Sequence, residues 1–532
     1  MRLNRFLRVR HDVVEQLLCF GRLADIQMAN FFRKQLACEC GPAGGETVKE
    51  KDDFSRQREA VRKIARGSAE GLTAWIGGAY GVSEWSTGHL STQTLQAKRG
   101  EKVEVITLRG KALAAGEVGS APKSVQVIAQ LPSLDAAAAS AHAGTEDYMR
   151  ENLREAVLQV PLSNENEGRI TTKLVNGLLQ LDFHDAVATV KAGVCARDVA
   201  SRQNILTATA YGGMLERLER ICALHATTAV QYDGMLIRDP AVQMRLAQIA
   251  CSHFGVESLA AYVSGSDEAL HEADAPQPEE TSEEGDTPAA REFRFFEAVS
   301  LNIYAGNALM DGLDNAWKIL HGFPLTTPRP HRSKPEIQIN YPYVDSLLNT
   351  SKYFITSMNG SMELQAQTFF GPLLQRSFLH QSASTWLESP LRHLMGLTTA
   401  AKVCLSAPHV NLRVMTDVLE RDLTRGLELV SHQKDPTDPS FVITVVQYIA
   451  EVFANLAVVH RCSASLTADE GGRGHREWLL AQAFGAASAA RRQRLLAYLR
   501  TSQLSAGVLR GVADLDHGAM HPVALMNSRP IP

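Results

Sequence analysis

The 532-residue sequence contains only eight cysteines, too sparse for a disulfide framework in so long a chain, so a reducing compartment is expected. It has no Gly-x-Gly-x-x-Gly after a strand-like run and no Gly-x-x-x-x-Gly-Lys, which excludes the two common phosphate cradles. No Gly-x-Ser-x-Gly elbow is present, and Cys38-Glu-Cys40 lacks the second thiol pair of a tetrahedral zinc site. His517 and His521 stand four apart, but Gly518 and Pro522 undermine the helix that would aim them at one ion, so no metal is expected. Charge of one sign is also lacking. The 54 Lys and Arg against 58 Asp and Glu leave −4, which excludes a nucleic-acid binder acting through bulk charge.

A long unbroken hydrophobic run is missing too. The best candidate, 441–462, is interrupted by Gln447, Glu451 and Asn455, four residues apart and therefore on one stripe of a helix. A glutamate in mid-span costs several kcal/mol in lipid. The run reads as a mostly buried helix of a bundle, with no transmembrane segment expected and peripheral membrane contact left open. The first ten residues carry Arg2, Arg5, Arg8 and Arg10, and no acid precedes Asp12. That pattern suits a mitochondrial presequence, and it equally suits the basic first turn of an ordinary helix.

What is present has a clear order. Hydrophobic residues form 45% of the chain, enough for a sizeable core, and the length predicts three or four structural units. Helical periodicity runs through 13–36 and 54–64. From about 75 to 190 the period changes to two: Val103, Val105 and Thr107, then Val125, Val127 and Ala129, then Leu179, Leu181 and Phe183 alternate with other residues. A small antiparallel sheet or barrel is expected there, with a helical insertion at 136–143 and 151–160. Helices return with Met214, Leu218, Ile221, Cys222 and His225 on one face. A second face holds Val242, Leu246, Ile249, His253, Val256, Leu259 and Val263, with His253 expected as a hydrogen-bonded core histidine. Residues 264–290 carry nine acids, three prolines and no Lys or Arg, a composition that predicts a disordered insertion. Helix resumes near Phe293, with Ile303, Leu309, Met310, Leu313, Ala316, Trp317 and Leu320 on one side. Further helices are expected at 343–370, 382–404, 411–432, 441–462 and 476–500.

This order, with several local motifs, resembles the acyl-CoA dehydrogenase family, and within it the very-long-chain branch with a helical C-terminal extension. Tyr80-Gly-Val-Ser-Glu84 followed by Gly88 is similar to the loop that opens the family's sheet domain and touches flavin and substrate. Leu108-Arg-Gly-Lys111 resembles its lysine turn, and 179–187 its closing strand. Val230-Gln-Tyr-Asp-Gly234, Ala241-Val-Gln243 and Leu246-Ala247 match a Lys-Gln-Phe-Gly, Val-Gln, Leu-Ala series without a gap. Arg291-Glu-Phe-Arg-Phe-Phe-Glu297 is similar to the run that carries the catalytic glutamate.

The resemblance implies an α+β, mostly helical fold. Its parts are a shortened N-terminal helical segment (1–70), a middle antiparallel β domain (71–200), a helical bundle (201–325) and a helical extension (326–532). It implies Glu297 as catalytic base, with Ser83, Gly88 and Gln243 as FAD contacts. The family removes a proton and a hydride from acyl-CoA and passes electrons to an electron-transferring flavoprotein. A base of that kind needs an apolar site that raises its pKa, and Phe293, Phe295 and Phe296 are suitable neighbours. Departures run alongside. Ala229 stands where the family has a phosphate-contacting arginine, His89-Leu90 replace Ser-Asp, Trp85 replaces a proline, and Ala298-Val299-Ser300 replace Gly-Thr-Asn.

The expectation is a mitochondrial matrix homologue with an eroded cofactor site, weak or absent activity, and a structural role as a homo-oligomer or a respiratory-complex assembly partner. The alternative is an active FAD-dependent dehydrogenase of long-chain acyl-CoA in β-oxidation. A helical interaction protein without that ancestry stands third and would lack the central sheet.

Overall fold

The computed structural model describes residues 25, 28–33, 58–59, 61–63, 65–66, 84–86, 96–99, 106–115, 124–132, 153–161, 166–175, 178–190, 196–231, 234–273, 288–321, 405, 409–431, 439–468 and 472–517. The N-terminal arginines, the helices expected at 343–370 and 382–404, and Ser83 and Gly88 lie outside them.

A β-layer precedes a helical bundle. Its strands are β1 (Glu84–Ser86), β2 (Gln96–Arg99), β3 (Ile106–Ala115), β4 (Ser124–Pro132), β5 (Leu153–Pro161), β6 (Ile170–Val175) and β7 (Leu178–Val190). β4 pairs β2, β2 pairs β3, β3 pairs β7, β7 pairs β5, and β5 returns to β4, so five strands close into a ring while β1 and β6 flank it. Most pairings are antiparallel, as the alternation predicts; β4 also runs parallel to β1 and touches β2 in parallel at Gln96 and Gln130. The helical insertion expected at 151–160 is a strand instead. Leu153–Pro161 matches Ser124–Pro132 over nine consecutive pairs, and that ladder overrides the helix-forming Leu, Glu and Ala of its sequence.

β7 is the spine of the layer, pairing β3 along one edge and β6 along the other. Asp185, at φ 52°, marks the irregularity where β3 shifts register between Leu108 and Gly110; the left-handed region is one that Asp tolerates. Asn166 pins the approach to β6. Its amide donates to the Pro161 and Val187 carbonyls at 2.8 and 3.0 Å and accepts from the Val187 N–H at 2.7 Å.

The bundle comprises α1 (Ala196–Thr228), α2 (Pro240–Ala273), α3 (Pro288–His321), α4 (Arg413–Ser431), α5 (Pro439–Ala468) and α6 (Arg473–His517). α3 packs against α1, α2 and α5. Residues 295–306 of α3 are all buried, so it is wrapped on every side. The expected face of α1 holds: Met214, Leu218, Cys222 and His225 are buried. So does that of α2, where His253 Nδ1 lies 3.1 Å from Glu219 Oε2. On α3, Trp317 departs from the expected apolar side and is 46% exposed. The acidic segment is shorter than its composition suggests, because α2 continues through Ala273 and α3 opens at Pro288, a residue suited to a first turn.

α5 is long and apolar enough to cross a membrane by composition, yet 83% of its most apolar window is buried in the protein. Its polar stripe is turned inside: Glu451 accepts from Arg491 Nε and Nη2 at 2.9 and 2.7 Å, and Asn455 is fully buried with neither its side-chain N nor its O hydrogen-bonded.

Candidate functional site

Glu297 sits in the first turns of α3, between Phe296 and Ala298, and is 2% exposed. Its position follows from the helix that carries it, since neighbours on every side leave no solvated face. The Tyr262 hydroxyl, from α2, donates to Glu297 Oε1 at 2.9 Å. Phe296 meets Phe453 of α5 edge to face at 5.8 Å, and Phe31 meets Tyr262 in the same manner at 5.8 Å. Burial pushes the Glu297 carboxyl up to about 8, against the smaller downward pulls of the Tyr262 hydrogen bond and the Arg294 charge. At neutral pH it is an uncharged acid in an apolar wall. Chemically, such a group can hold or accept one proton near physiological pH.

The other expected site residues are not gathered around it. Gln243 lies on the exposed first turns of α2, where its Nε2 donates to the Ile237 carbonyl at 2.9 Å. Ala229, in the position where the resemblance expects a phosphate-contacting arginine, is 0% exposed and offers no charge. Ala298, Val299 and Ser300 are 0, 1 and 0% exposed inside α3, so their backbone presents no surface for close approach. Of the residues that the resemblance assigns to FAD only Gln243 is described, and it bonds locally; at the positions that depart from the family, Ala229 offers no charge and Ala298–Ser300 are shut in the core, so these five do not fit that cofactor.

Among the described residues, other reactive side chains offer no second centre. Among the described residues no group of three or more His, Cys, Asp or Glu could hold a metal ion. Burial pushes the Cys222 and Cys462 thiols up to about 12, which leaves them poor nucleophiles.

Sequence reasoning overlooked Tyr262, which neighbours the anticipated core position Val263. It also overlooked the buried pair Asp25 and His460, 2.6 Å apart, and Asp422, whose Oδ2 accepts from Arg492 Nε at 3.0 Å. No pattern of spacing links residues 435 or 70 positions apart; an isolated charge inside an otherwise apolar helix is the one available signal, and Glu451 was recognised by it.

No protein-family model matches the chain. No curated protein matches it either. Solved structures do. An acyl-CoA dehydrogenase complexed with FAD from Bacillus anthracis superposes with a TM-score of 0.56 at 13% identity, covering 93% of this chain and 87% of that one. Acyl-CoA oxidase 1 from Yarrowia lipolytica superposes with a TM-score of 0.51 at 11% identity, covering 92% and 77%. The chain has the acyl-CoA dehydrogenase fold. At these identities the likeness is one of architecture, and function must be argued from the site.

Proposed function

We propose that the protein is a divergent homologue of the acyl-CoA dehydrogenases, of the very-long-chain branch, whose cofactor site has eroded and which serves as a structural or assembly component of mitochondria. The observation that carries this reading is the separation of the site: the one retained acid is sealed in the core, while the Gln243 side chain is taken up by the Ile237 carbonyl on the surface. Each missing charge-assisted or close backbone contact removes roughly 1–3 kcal/mol from cofactor binding. Several together weaken it by orders of magnitude. The partner in this reading is a second copy of the chain or a respiratory complex under assembly.

A second reading is favoured by one observation, the Glu297 carboxyl raised to about 8, the range a proton-abstracting base needs. It makes the protein an active FAD-dependent dehydrogenase of long-chain acyl-CoA that passes electrons to an electron-transferring flavoprotein. The absorption spectrum of the purified protein separates the two. A colourless protein that reduces no dye with long-chain acyl-CoA is expected. Stoichiometric flavin, with dye reduction abolished in Glu297→Gln, overturns the first reading and establishes the second.

A further inference from the structure

We infer that the helical residues 28–33 form a plug, in which the Phe31 ring fills the slot between Tyr262 and Gly265 and so holds in place the tyrosine that caps the Glu297 carboxyl. The inference deepens the reading above, resting on Glu297 as the relic acid of the site and adding what closes it.

The contacts form a chain. Phe31 lies edge-on to Tyr262, with centroids 5.8 Å apart and planes at 79°, and Tyr262 in turn donates to Glu297 at 2.9 Å. The floor of the slot is Gly265, one turn beyond Tyr262 on α2. A Cβ there would stand 2.2 Å from Phe31 Cε2 and 2.5 Å from Phe31 Cζ, so the ring rests on bare backbone and no other residue admits it. Phe31 is only half-buried, whereas Met28 and Phe32 on the inner face are 0 and 2% exposed. The segment is thus moored by its neighbours, while Phe31 lies over Tyr262 and Gly265.

The mooring is polar as well. Asp25 lies 2.6 Å from His460 of α5, and both are almost wholly buried. Further along, Arg62 bonds Glu257 of α2 at 2.8 Å, and Arg66 pairs with Glu216 of α1. Withdrawing Phe31 frees a space about one phenyl ring wide beside Tyr262, whose hydroxyl is bonded to the Glu297 carboxyl. Its chemistry suits the end of an apolar chain or a flat apolar ring.

The test uses dicyclohexylcarbodiimide, an apolar reagent that adds to protonated carboxyls, with the labelled residue located by peptide mass spectrometry on the full-length protein. Glu451, buried and bonded to Arg491, is the internal control. In Phe31→Ala, labelling of Glu297 should accelerate about tenfold or more while Glu451 is unchanged, as local opening requires. Gly265→Ala, which drives the ring out from the other side, should do the same. Equal Glu297 labelling in wild type and both variants overturns the plug, and so does a parallel rise at Glu451, which signals general loosening. The assay needs neither flavin nor acyl-CoA. Faster labelling in a flavin-loaded protein therefore sinks the eroded-site reading while sustaining the plug, and unchanged labelling in a colourless protein does the reverse.

Discussion

Replacing Glu297 by glutamine should stabilise the protein at neutral pH, although it removes the one acid that the resemblance marks as catalytic. The carboxyl stands at about 8 in the fold against an ordinary 4.5, because burial opposes its ionisation. Below pH 4.5 both states hold the proton and nothing is lost. Between 4.5 and 8 the unfolded chain ionises while the native acid stays protonated, so stability falls by about 1.4 kcal/mol per pH unit. Above 8 both are ionised and the loss levels off at about 5 kcal/mol. Glutamine keeps an oxygen for the Tyr262 hydroxyl and never titrates, but its amide brings two N–H donors where the protonated acid has one O–H, at a cost of about 1 kcal/mol. The variant should be less stable than wild type below pH 5, equal between pH 5 and 6, and more stable by about 2 kcal/mol at pH 7 and about 4 kcal/mol above pH 8. Denaturant unfolding followed by far-UV circular dichroism across pH 4.5–9 gives the difference curve, from which groups common to both proteins cancel. Parallel curves would refute the argument, because they would mean that Glu297 ionises as readily inside the protein as outside.

Two further substitutions probe the same core. Tyr262→Phe removes a hydrogen bond that favours the ionised carboxylate, so it should cost about 1 kcal/mol and move the upper end of the Glu297 window above pH 8 in the same denaturation series. Arg492→Leu deprives buried Asp422 of its guanidinium partner, leaving Gln493 Nε2 at 2.6 Å as a neutral donor. A loss of about 3–5 kcal/mol is expected, read as a lowered unfolding midpoint, with a much smaller change in Arg421→Leu on the exposed side of α4.

Elements that obey a single period were legible in the sequence. The α1 and α2 faces, strand β4 and the buried character of α5 follow from where apolar residues recur, because each helix or strand has to bury one side. β5 was not, since Leu153-Arg-Glu-Ala-Val-Leu158 suits a helix equally and only its ladder with β4 decides. The ends of α2 and α3 also lie beyond the bounds that composition suggests: a run of acids lowers the chance of a core but does not prevent a helix from continuing into it. In the candidate site, Glu297 and its aromatic neighbours could be singled out because they are contiguous. The hydroxyl that holds it comes from 35 residues upstream, and the ring packed against that tyrosine from more than 200 residues further upstream. Such partners are set by how helices cross, which local pattern does not encode.

The placement of α5 has a consequence for the newborn chain. Its partners α2 and α3 leave the ribosome first, so a partial cradle is waiting, but α6, which closes the other side, is made after it. Until synthesis passes Arg473, the greasiest stretch of the polypeptide is half-covered and competes for whatever apolar surface is nearby, chaperone or lipid. A stop codon early in α6 would therefore produce not a slightly shorter protein but a sticky one.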